Sequence, residues 1–402
     1  MDHRFKIIGF IFFLGFTVSN TQTLLFAQSD SDPYKITPAP DVWYNSVDGL
    51  RLGIRFLGEM EGSFKDGPHR LDAGLWLSTS FPTNPVSYYL SFTEPIKGIS
   101  DFGEEGSIQA ISSIRTGFSR HSLQLNKRWQ NGFNELEYKE ASLSFSQEKM
   151  FDVLYRPYPV LWSSNWKSLL GLNFTTHNES EKNTFETNIS FQKNINSGNS
   201  SFSVLNIEAW DVYPINESFG LGLRVFGGFT SDNATPEYLY TASYAQPVQW
   251  LGNGVSRAKG TIPSNWLDNG FAHVSGSGNL RGFTDTRYSD LTLGGFNSIV
   301  SINTELEFPN PVSASLKKGI IGDFVFLKSY LFVDAGTVFE DNPMLIDAGL
   351  GLQFSLNIPD FLGKPRGFAI RYEVPFWISE PDVGESNFEF RNLIGFGAVI
   401  SL

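Results

Sequence analysis

The chain has 402 residues, 38 of them glycine, with 15% aromatic residues including 37 Phe, only 18% charged residues and no cysteine. So few charges in so long a chain is unlike a soluble multidomain enzyme. A net charge of -12 lacks the Lys and Arg surplus that neutralises phosphates, which excludes nucleic acid as a partner, and the missing thiols exclude disulfides and zinc-thiolate sites.

Arg4 and Lys6 precede an apolar run from Ile7 to Val18, and a polar stretch then leads to Phe26-Ala27-Gln28. The run falls short of the ~20 residues a spanning helix needs, so residues 1–27 read as a signal peptide cleaved near Ala27. Residues 28–40, acidic and proline-containing, read as a short periplasmic leader too small to be a domain. No later apolar run is long enough for a helix to cross a membrane. A membrane location therefore requires a barrel, expected over residues 41–402.

From Leu50 the chain alternates. Leu50, Leu52 and Ile54 are apolar, while Arg51, Gly53 and Arg55 between them are charged or small. The same period of two recurs in 141–146, 188–192, 347–354 and 368–374. A soluble sheet would need a second layer over the apolar face, whereas a membrane barrel turns it to lipid and the polar face to its lumen. Turn-separated segments start near Gly49, Leu71, Pro85, Gly106, Phe118, Asn134, Trp166, Asn183, Ser201, Phe219, Pro236, Leu291, Phe324, Ile346, Gly367 and Phe388. The expected fold is all-β, a single transmembrane antiparallel β-barrel of about sixteen strands, an even number as bacterial barrels have.

A long loop, Pro247 to Ser289, interrupts the series and carries Leu280-Arg281-Gly282-Phe283. On the strand after it Glu305 and Glu307 share one face, and on the next Phe332, Asp334 and Gly336 share the lumenal one. A loop folded inward would bring Arg281 to Glu307 and Asp334, which its guanidinium can bond together, with Phe283 packed beside it. The alternative leaves Arg281 on a solvated loop and the carboxylates lining a wet channel. The last strand, Phe388 to Leu402, is amphipathic and suits closure against the first. This predicts a seam with Leu50, Leu52 and Ile54 on one side and Gly395, Gly397 and Leu402 on the other, glycines weakening it.

Gly278 to Phe283 resembles the [VL]-R-G-[FY] signature of the bacterial surface antigen superfamily, the outer-membrane barrels of the BamA, TamA and two-partner-secretion transporter type. Gly294-Gly295, the strand end at 305–309, the Phe-Val-Asp-Ala-Gly core at 332–336 and the opening at 44–53 follow in that family's order. The resemblance implies an arginine, here Arg281, tucked into the barrel against carboxylates at the positions of Glu307 and Asp334. It also implies protein insertion or translocation in the bacterial outer membrane. The family's periplasmic polypeptide-transport-associated domains find no match here, so partner subunits are expected to supply that part. The other readings are a non-transporting anchor or accessory subunit of an outer-membrane complex, and a passive solute pore. Catalysis is not expected. His3, His69, His121, His177 and His273 are scattered singly, with no His-Glu-x-x-His pair and no nucleophile elbow, so no cofactor or metal is predicted.

Overall fold

The computed structural model describes residues 34–45, 47–60, 68–81, 83–101, 104–132, 134–153, 158–196, 201–216, 218–251, 264–292, 295–316, 325–339, 342–359 and 365–400. The predicted signal peptide, 1–27, and Leu402 lie outside the described residues. In chain order the strands are β1 (Lys35–Asn45), β2 (Gly49–Glu59), β3 (Arg70–Ser78), β4 (Val86–Pro95), β5 (Gly106–Arg115), β6 (Phe118–Gln130), β7 (Glu137–Met150), β8 (Lys167–Glu179) and β9 (Thr184–Asn194). They continue as β10 (Ser203–Pro214), β11 (Gly220–Thr230), β12 (Ala272–His273), β13 (Ser298–Phe308), β14 (Val325–Val338), β15 (Leu345–Pro359), β16 (Pro365–Ile378) and β17 (Leu393–Ile400).

All belong to one 17-stranded sheet. The long strands pair antiparallel in sequence order, with β11 passing directly to β13, while the two-residue β12 adds to β17 in parallel. Setting β12 aside leaves sixteen long strands, so β1 begins and β17 ends at the same edge of the wall. Tight antiparallel order follows from short turns. Between β5 and β6 only Thr116 and Gly117 intervene, both at positive φ (52° and 75°), the backbone that matches a two-residue hairpin to strand twist. A Cβ on Gly117 would stand 2.4 Å from the Asp152 carbonyl oxygen, so glycine is needed there twice over.

Alternation sorts the side chains. Leu50, Leu52 and Ile54 on β2, Leu170, Leu172 and Phe174 on β8, Leu331 and Val333 on β14, and Leu350, Leu352 and Phe354 on β15 are all exposed on the outer face. Arg51, Arg55, Arg115, Lys167, Asp334, Asp347 and Glu373 are buried on the inner one. An apolar face this continuous is uncommon on a protein surrounded by water. Among the described residues no helix is long and apolar enough to cross a membrane.

In the connection between β11 and β13, residues 236–251 and 264–291 pack on the inner face of the sheet. Tyr238 donates to Glu148 on β7, Glu237 pairs with Lys167 on β8 at 2.5 Å, and residues 281–283 pack on β15 and β16. One segment touching β7, β8, β15 and β16 on the same face requires the sheet to curl around it as a barrel wall. Three apolar clusters weld plug to wall, one of them setting Tyr238 against Leu169, Phe202 and Val204. A second joins Phe118 and Met150 to Tyr244, Trp250, Ala272 and Val274, and the third joins Ile299, Val338, Leu345 and Ile378 to Tyr240, Leu280, Phe283 and Tyr288.

Three sequence expectations change. Residues 35–40, read as leader, belong to β1, whose strand signal is masked by Pro38 and Pro40, residues a sheet tolerates only at an edge. Leu50, Leu52 and Ile54 therefore lie not at the seam but on β2, which is paired on both sides, with β1 and with β3. The segment near Pro236, expected as a strand, is a 3-10 turn (Pro236–Tyr238) inside the plug, so the inward loop begins well before Pro247. One strand gained and one lost leave the number of long strands at sixteen. Among the described residues β1 and β17 form no ladder with each other, so the wall is not closed by strand pairing.

Candidate functional site

Just before the motif the backbone turns through left-handed conformations at Ser277 (φ 49°) and Asn279 (φ 55°). The Leu280 amide then donates to the Ala242 carbonyl at 3.0 Å, and Asn303 of β13 holds the Asn279 carbonyl at 3.0 Å. These bonds aim Arg281, on the 3-10 turn Arg281–Phe283, straight at the wall. Its Nε and Nη2 reach the two oxygens of Asp334 on β14, each at 2.8 Å, and its Nη1 reaches Glu305 on β13 at 2.6 Å and Glu373 on β16 at 2.8 Å. Four of the five guanidinium N–H groups are thus spent on carboxylate oxygens of three strands. The guanidinium carbon also lies 3.8 Å from the centre of the Phe332 ring. Arg281 is 1% exposed. Burial alone would lower its pKa, but Asp334 and Glu373 outweigh that and hold it well above the ordinary arginine value.

Glycines make the pocket. A Cβ on Gly282 would stand 2.6 Å from both the Asp347 Cβ and the Ile378 Cγ2, so only glycine lets the turn lie on β15 and β16. On β15 a Cβ at Gly349 or Gly351 would fall 2.3 Å from the Phe332 ring or 2.2 Å from the Tyr330 ring. Both aromatic rings therefore lie flat against the inner wall, and Tyr330 donates to Glu373 at 2.7 Å. Phe283, fully buried, meets Tyr288 edge-on at 6.0 Å between ring centres.

Of the residues expected around Arg281, the structure brings Asp334 to it and not Glu307. Glu307 bonds Lys328 at 2.9 Å, both side chains being 40–50% exposed. Register is the cause. Asp334 stands opposite Asn303, Glu305 is one inward position further along β13 and Glu307 two, and each such step moves a carboxylate by about 7 Å. Glu373 was missed. Its signal was present in Arg371-Tyr372-Glu373, two charges on the inner face of β16, but nothing local assigns them to a residue 92 positions away. At the predicted seam, Gly395 stands opposite Arg371 and Gly397 opposite Ala369 on β16, while the free edge of Gly395 meets His273 of the plug.

Among the described residues there is no group of three or more His, Asp or Glu side chains that could hold an ion. The carboxylates face arginines, Arg281 and Arg371, and tie the loop to the wall.

No protein-family model matches the chain, and no curated protein matches it. Solved structures similar along its length include three outer-membrane proteins. One is BamA from Haemophilus ducreyi lacking POTRA domains 1-3, at 16% identity and a TM-score of 0.48, the match covering 92% of this chain and 71% of that one. CdiB from Escherichia coli follows at 10% identity and 0.42, covering 93% and 64%. CdiB from Acinetobacter baumannii stands at 12% and 0.39, covering 92% and 65%. The chain thus spans a little under two thirds of the length of either CdiB.

Proposed function

We propose that the protein is an outer-membrane barrel of the bacterial surface antigen superfamily and acts, together with protein partners, in the insertion or translocation of other proteins. The observation that carries this reading is the anchoring of Arg281, within its Leu-Arg-Gly-Phe sequence, on carboxylates of β13, β14 and β16 by a loop packed on the inner face of the wall. A permanently open pore has no use for such a plug. The outer face supports the membrane setting, since its exposed Leu, Ile and Phe side chains recur on strand after strand. An exported chain fits the basic and apolar start of the sequence.

Affinity purification from detergent-solubilised native membranes, joined to depletion of the protein, tests the reading. Recovery of stoichiometric partners and a fall in other outer-membrane or secreted proteins is the expected result. Stoichiometric partners with no such fall would replace transport by an anchoring role.

A further inference from the structure

The free edge of the last strand is held by the plug. Register places Leu393 and Gly395 opposite Glu373 and Arg371 of β16, while the Ile394 amide points the other way and donates to the Phe271 carbonyl at 2.6 Å. Ala272 and His273 continue beside Ile394 and Gly395 as the parallel strand β12. The same stretch is tied to the arginine anchor, because His273 Nδ1 lies 3.8 Å from one Glu373 oxygen and Arg281 bonds the other. The hairpin connecting β16 and β17 is fastened as well. Arg391 stands 3.5 Å from Asp285 of the plug, and Asp382 accepts the Arg287 amide at 3.1 Å.

The opposite edge is built differently. The Leu50 amide and carbonyl both engage Thr79, so Leu50 and each second residue after it turn their backbone toward β3. Gly49, Arg51, Gly53 and Arg55 accordingly bond β1 through Asn45, Trp43, Asp41 and Ala39. The alternate residues Ile36, Pro38, Pro40, Val42 and Tyr44 then present their backbone to the open side, and two of these five have no N–H to give. β1 and β17 run in opposite directions, so a ladder between them would set Val42 and Tyr44 toward the start of β17 and the prolines toward its end.

We propose that the chain carries its own cap for β17: plug strand β12, fastened through Glu373 to Arg281, occupies the start of the free edge at Ile394 and Gly395, and Pro38 and Pro40 keep β1 from zipping onto the remainder. Release of Arg281 and exposure of the β17 edge are then one event. This goes beyond the proposed function and holds whether or not the barrel moves protein, so a failure in transport assays leaves it standing.

Hydrogen exchange on the full chain in lipid nanodiscs tests it. The Ile394 amide is expected to exchange slowly in the unmodified protein and about tenfold faster or more in Arg281→Ala, with β6 and β7 unchanged. Glu373→Gln gives the same readout should Arg281→Ala fail to assemble. Unchanged exchange at Ile394 while residues 281–283 open would overturn the coupling. Because the chain has no cysteine, an Ala272→Cys, Ile394→Cys pair reports their contact directly. It is expected to form a disulfide under mild oxidation, and its failure to do so in the folded protein refutes the cap. Pro38→Ala with Pro40→Ala in the Arg281→Ala background is expected to slow exchange at 398–400 as a ladder forms. No slowing there refutes the role of the prolines.

Discussion

Four carboxylate oxygens around one buried guanidinium make the Arg281 site sensitive to geometry as well as charge. Removing the cation strands Asp334 and Glu373, both at most 1% exposed, and Arg281→Ala is expected to cost about 3–5 kcal/mol in plug docking or barrel stability, read from denaturant midpoints. Arg281→Lys should recover only a minor part, because an ammonium cannot span Asp334, Glu305 and Glu373 at once. Glu307→Gln should fall within ~1 kcal/mol of the unmodified protein, since its pair with Lys328 is solvated. The contrast between Glu307 and Glu373 is the sharpest check on which carboxylates hold the loop. Gly282→Ala places a methyl 2.6 Å from the wall, and an expected loss of about 1–3 kcal/mol should appear as faster proteolysis of the plug.

Elements follow two separate logics. The long strands are legible because their outer faces are apolar and their inner faces polar or small, a period that persists through β2, β8 and β15. The plug has no period. It is held by single contacts such as Tyr238 on Glu148 and Lys167 on Glu237, whose side chains are all at most 4% exposed. Lys167→Met is therefore expected to leave Glu237 buried without its cation and to cost about 3–5 kcal/mol, while Tyr238→Phe, which leaves Glu148 short of a donor, should cost about 1–3 kcal/mol. Both losses should appear as protease sensitivity in 231–297 before the strands unfold. The strand most easily overlooked, β1, is the one whose prolines mark it as an edge.

On the scale of the whole molecule, the outer face separates a membrane barrel from a soluble sheet. Leu172, 55% exposed on β8, is the probe. In lipid, Leu172→Arg is expected to cost about 2–4 kcal/mol, whereas at a water-exposed site the same change stays within about 0.5 kcal/mol. Unfolding from vesicles measures the difference, and a neutral result would remove the bilayer from this face. Planar-bilayer recording adds the interior: small, irregular currents in the unmodified protein, rising in Arg281→Ala as the plug loosens. Large steady currents indifferent to the substitution would show that the plug does not close the lumen.

Sequence by itself determined the all-β class, the inner and outer faces of the long strands and the prominence of Leu280 to Phe283, while the count of sixteen held because β1, read as leader, offset the segment near Pro236. These depend on alternation and local motif, and alternation is a property of neighbours two residues apart. Only the tertiary structure decided that Glu305 and Glu373 join Asp334 around Arg281, that β1 precedes Leu50, and that β12 rests on the edge of β17. Each of those depends on strand register or on a contact between distant segments. A shift of two residues along a strand preserves the face of every side chain and moves each carboxylate by about 7 Å, enough to exchange Glu305 for Glu307 without altering the pattern that sequence displays.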